Sequence, residues 1–104
     1  MQKNNCMMEQ IERIARMEQQ LEMAAKAVHG LAAALDDYEA AQAALRELET
    51  YYGSKEWKED FAADEAGRLP QELKRGVLSE DAIWNLLEQR DEVQKRMVEY
   101  LNRK

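Results

Sequence analysis

Proline occurs once and glycine four times in 104 residues. A chain with so few turn formers has few places to reverse direction, so its elements must be long. Cysteine occurs once, as Cys6, and histidine once, as His29. One cysteine excludes an internal disulfide. A lone histidine with no cysteine beside it is a poor zinc-ligand set. No alternating β-branched run marks a strand. No Gly-x-Gly-x-x-Gly, phosphate loop or Cys-x-x-Cys is present. No apolar run reaches the roughly 20 residues that cross a bilayer, and residues 1–6 lack the apolar core of a secretory signal. Basic residues are outnumbered, 15 Lys and Arg against 21 Asp and Glu, for a net charge of −6. Without a basic stripe, nucleic acid and anionic membrane surfaces are poor partners. A cytoplasmic location is the expectation.

Helix formers fill the space that these absences leave. Ala, Leu, Glu, Gln, Lys and Arg dominate, and their intrinsic preference is helical. The length allows one domain. Residues 1–6 read as a poorly ordered extension and residues 7–104 as a single helical domain. From Met7 onward the apolar residues follow a heptad. Ile14, Leu21, Val28 and Leu35 form one seven-spaced row, and Met17, Ala24, Leu31 and Tyr38 the other. Alternating steps of three and four give a continuous apolar seam, as in a coiled coil. Beyond Tyr38 the pattern resumes as Ala41, Leu45, Leu48 and Tyr52, one residue early. Two readings follow: one long helix with a heptad slip, or a break near Gly30 or Asp36 that makes a helical hairpin. The near-continuous helix is favoured, because no proline intervenes.

The least repetitive stretch is the corner from Tyr51 to Phe61, with a second block from Gly76 to Asp81. Four of the seven aromatic residues, Tyr51, Tyr52, Trp57 and Phe61, lie in the first block. Gly53 is expected to end a helix in the left-handed conformation, and Ser54 to cap the next one. Trp57 and Phe61 are four apart and share a face. Gly67 reads as a second helix end, and Pro70 as the start of a short helical piece over 71–75. Val77 or Leu78 is expected to plug the core. Ser79, Glu80 and Asp81 form a strong helix start. Ile83, Leu86, Leu87, Val93, Met97 and Tyr100 then make one apolar face, with Arg90 on the same stripe. The fold class is therefore all-α: a long N-terminal helix or helical hairpin over about 7–52, a short corner helix over about 55–66, and a C-terminal helix over about 80–101, packed as an antiparallel bundle.

Tyr51, Tyr52, Gly53, Ser54, Trp57 and Asp60, followed by Leu69 and Pro70 and by Gly76, Val77, Leu78, Ser79, Glu80 and Asp81, resemble a short bacterial family known only as a domain of unknown function, number forty-two ninety-eight. The resemblance covers nearly the whole chain from about Met8. It implies a small all-helical protein and supplies no activity.

With Ser54 and Ser79 both serving as caps, no Ser-His-Asp constellation remains. No catalytic residue, metal-ligand set or cofactor is expected. Carboxylates are the reactive groups left. Asp60, Asp64 and Asp81 could converge with Tyr51, Tyr52, Trp57 and Arg90 to hold a small ligand or a divalent cation. In the plainer alternative, Asp60 or Asp64 pairs with Arg75 or Arg90 and pins the corner. The first functional reading is a non-enzymatic interaction or adaptor module working through helix–helix contacts, as a homodimer. The second is a small-ligand or metal-binding protein built on the acidic and aromatic corner.

Overall fold

Helix α1 spans Gln2–Ala40, 39 residues without interruption. The computed structural model describes residues 2–103, with side chains from residue 5. Helix α1 takes in residues 2–6, and Met1 lies outside the described residues. It passes through Gly30, Asp36 and Asp37 as regular helix. A lone glycine costs only about 1 kcal/mol in a helix relative to alanine, too little to break one this rich in strong helix formers. The interruption falls at Ala41, where the heptad slips. The Ala41 N–H is shared between the carbonyls of Asp37 (3.0 Å) and Tyr38 (3.2 Å), a three-centre bond common at helix ends.

The chain divides into two compact units, Met1–Ala41 and Gln42–Lys104. All three buried apolar side chains among the described residues, Leu45, Leu78 and Ile83, belong to the second. That unit is built from α2 (Gln42–Tyr52), α3 (Lys55–Glu65), a 3-10 turn (Gly76–Leu78) and α4 (Ala82–Asn102). Helices α2 and α4 pack together, and the 3-10 turn packs against both α3 and α4. Glu49 meets Arg90, and Tyr52 meets Glu80. Rising numbers in α2 meet falling numbers in α4 and the residues leading into it, so the two helices run antiparallel. Among the described residues every regular element is helical. The all-α class is as expected.

Two local expectations are corrected. Gly53 does not take the left-handed conformation; the positive-φ glycine is Gly67, at φ 70°. The chain turns after α2 by bonding to Tyr51 instead. The Ser54 N–H donates to the Tyr51 carbonyl at 3.0 Å, and the Ser54 hydroxyl donates to the same oxygen at 2.6 Å. With that carbonyl satisfied, no left-handed residue is needed. Residues 71–75 are also not helical. Pro70 starts a single turn, closed by Leu73 N–H to Pro70 O at 3.2 Å.

Gly67 closes α3 with both bonds of a Schellman motif. Its own N–H donates to Asp64 O and that of Arg68 to Ala63 O, each at 3.0 Å. The following 3-10 turn buries Leu78 and leaves Val77 at the surface. Leu78 is therefore the plug. In α4 the covered stripe is Ile83, Leu87, Arg90 and Met97, one side of the helix. Leu86, Val93 and Tyr100, expected on the inner face, form a neighbouring exposed row.

Candidate functional site

The corner is assembled around Trp57. Ser54 caps α3 by accepting the Trp57 N–H at 3.2 Å, which starts the helix and sets the ring position. Phe61, one turn later, stacks on Trp57 at 5.2 Å between centroids. Tyr52, at the end of α2, meets Trp57 edge-on at 5.1 Å. Such offset and edge-on pairs are favoured by the ring quadrupoles. The indole N–H donates to Val77 O at 2.9 Å, and the Tyr52 hydroxyl donates to Glu80 O at 3.1 Å. Two aromatic side chains thus tie α2 and α3 to the backbone that leads into α4.

The acids of the corner do not share one centre. The Tyr51 hydroxyl donates to Asp60 Oδ2 at 2.6 Å. Asp64 faces the other way along the chain and receives Arg75 at 2.9 Å. That pair joins the end of α3 to the approach of the 3-10 turn. Asp81 sits where α4 begins and makes no side-chain cap bond. The capping hydroxyl is that of Ser79, which accepts the Ala82 N–H at 3.1 Å. Arg90 reaches across to Glu49 at 2.8 Å and along its own helix to Asp91 at 3.0 Å. Among the described residues no three His, Cys, Asp or Glu side chains are grouped so as to hold a metal ion.

Two groups have shifted proton affinities. The Tyr51 phenol is pushed up from 10.0 to about 12 by partial burial of the ring. The hydrogen bond to Asp60 and the negative fields of Asp60 and Glu56 add to it. The Arg90 guanidinium is raised further above its usual value, first by its hydrogen bond to Glu49 and then by that to Asp91. Both shifts favour the state that already prevails at neutral pH, so neither prepares a group for proton transfer. The groove beside Tyr51, lined by Arg46, Glu47, Thr50, Ser54 and Glu56, is open to solvent.

The seven residues singled out from the sequence thus divide. Tyr52 and Trp57 lie together, Tyr51 and Asp60 form a pair, and Asp64, Asp81 and Arg90 each stand apart with different neighbours. Sequence reasoning missed Glu49 and the two backbone acceptors, Val77 O and Glu80 O. These are long-range partners, 41, 20 and 28 residues from their donors. Nothing in local spacing encodes such contacts.

The other surface feature is α1. Its seam residues Ile14, Leu21, Val28 and Leu31 are 54–64% exposed, and no side chain described in the helix is buried. None of the helices among the described residues is long and apolar enough to cross a membrane. Comparison with protein families matches residues 14–100 to one described as Domain of unknown function (DUF4298). Comparisons with curated proteins and with solved structures give no match.

Proposed function

The chain belongs to the DUF4298 family of unknown function, and on that premise we propose that it is a non-enzymatic interaction module that offers the apolar seam of α1 to another helix. The observation that carries this reading is the seam itself. Met7, Ile11, Ile14, Met17, Leu21, Val28, Leu31 and Leu35 lie along one helix and are all exposed. Monomeric proteins rarely leave contiguous apolar patches beyond a few hundred Å² open to water, and larger ones mark interaction sites. Isolated helices gain little stability from propensity alone; most comes from covering an apolar face. The corner supports the same reading from the other side. Asp60, Asp64 and Arg90 are each held by a partner within the chain.

Ile14→Glu combined with Leu21→Glu tests this in the full chain. Two charges placed in the seam should abolish association, read as a drop in mass by light scattering or as loss of a bound partner. The tryptophan-reported melting of the corner should stay in place. A wild-type chain that associates with nothing, and whose α1 amides exchange at the same rate in both proteins, would overturn the reading.

A further inference from the structure

We propose that the helix covering the α1 seam is α1 of a second copy of this chain, laid antiparallel with its whole length in register. This rests on the reading of α1 as an interaction surface and names its partner. The observation that selects the orientation is how the two halves of the seam are flanked. In heptad terms the core positions run from Met7 to Tyr38, and the two flanking positions of each repeat border the seam. In the N-terminal half these flanks are Ile11, Arg13, Glu18 and Gln20, all long. In the C-terminal half they are Ala25, Ala27, Ala32 and Ala34, all small.

A parallel pair would set long against long at one end and alanine against alanine at the other. The helices would be held apart in the first half and drawn together in the second. An antiparallel pair sets every long flank against an alanine. Ile11 meets Ala32 of the second copy, Arg13 meets Ala34, Glu18 meets Ala25 and Gln20 meets Ala27. The separation then stays even along the seam, as close packing of large against small requires. The central core layers agree. Antiparallel pairing places Leu21 opposite Ala24, Ile14 opposite Leu31 and Met17 opposite Val28, with Leu35 opposite Gln10 toward the ends. Parallel pairing would place Ala24 on Ala24 and Tyr38 on Tyr38, a void and a crowd.

Charge points the same way. Asp36, Asp37 and Glu39 all lie near the C-terminal end of α1, whereas residues 7–16 hold two acids and two bases. A parallel pair gathers six acids at one end; the antiparallel pair keeps the two acidic clusters at opposite ends. The one feature favouring parallel pairing, Arg13 against Glu18 of the other copy, is an exposed ion pair and contributes little. The strip from Met7 to Tyr38 is about 48 Å long. At about 10 Å wide it supplies roughly 1,000 Å² from both copies together, the lower bound of a specific interface.

Cross-linking of the full chain tests the orientation. Cys6→Ser is combined with either Ile14→Cys or Leu31→Cys, one variant carrying a size tag, and disulfides are formed under mild oxidation. Antiparallel pairing predicts a cross-link only when the two variants are mixed, and only between them. Self-cross-links in each variant alone would overturn the antiparallel proposal and establish a parallel pair, leaving α1 as an interaction surface. A monomer by light scattering with no cross-link, and with the seam methionines open to oxidation, would overturn the second copy as partner while leaving a different protein's helix to fill the role. A monomer whose seam methionines resist oxidation would overturn both, because the seam would then be covered within one chain.

Discussion

Tyr51 and the two turn glycines carry the sharpest predictions at the residue scale. The raised Tyr51 pKa means that the fold favours the neutral phenol. Its contribution is complete below the unfolded value of 10.0 and is lost as pH rises toward about 12. Wild type should therefore lose stability between pH 10 and 12 more steeply than Tyr51→Phe, measured as melting temperature against pH. At neutral pH the phenylalanine variant should be less stable by about 1 kcal/mol, the size of one net hydrogen bond. The glycines separate by conformation. Gly67→Ala forces a β-carbon into the left-handed region and should cost about 1 kcal/mol. Gly53→Ala should be tolerated, because the turn has no positive φ and an added β-carbon meets only Glu49 O, at 3.9 Å. Denaturant midpoints of the two variants check the contrast.

Helix α1 poses the question at the scale of elements. Gly30 lies in its interior, and nothing stands within 4 Å of where a β-carbon would go. Gly30→Ala should stabilise the helix by about 1 kcal/mol, seen as higher helicity and a later melt by circular dichroism. Ser54 is the corresponding point in α3. Its hydroxyl both accepts the Trp57 N–H and closes the turn onto Tyr51. Ser54→Ala should cost about 1 kcal/mol and loosen the Trp57–Phe61 stack, read in the near-ultraviolet spectrum.

Across the whole molecule, stability rests on few buried groups. Ile83, 2% exposed, is the best covered of the three buried apolar side chains among the described residues. Truncating a buried isoleucine costs about 3 kcal/mol through lost transfer energy and the cavity left behind. A unit this small has little more than that in reserve. Ile83→Ala should therefore lower the tryptophan-reported melting by many degrees or abolish it. Both tryptophans lie in that unit, so their fluorescence reads it directly. Charges placed in the α1 seam at Ile14 and Leu21 should leave the same signal unmoved, because neither side chain is buried.

Local chemistry along the sequence determined the helices and most of their ends. The heptad from Ile14 to Tyr38, the caps Ser54 and Ser79 and the stop at Gly67 act within a few residues, so spacing alone reveals them. The heptad slip beyond Tyr38 read as a slip within one near-continuous helix, with Gly30 or Asp36 as the alternative break, yet the helix is interrupted at Ala41. The tertiary structure decided which groups meet. Gly53 read as a left-handed stop, yet hydrogen bonds from Ser54 to Tyr51 do that work. Asp60, Asp64 and Arg90 read either as one cluster or as pins of the corner; each finds a different partner, and of the pairs the sequence offered only Asp64 with Arg75 forms. Those choices depend on how α2, α3 and α4 are brought together, and contacts across 20–41 residues leave no periodic trace in the chain. A helix is encoded by neighbours three and four apart; a salt bridge such as Glu49 with Arg90 exists only after two helices have packed.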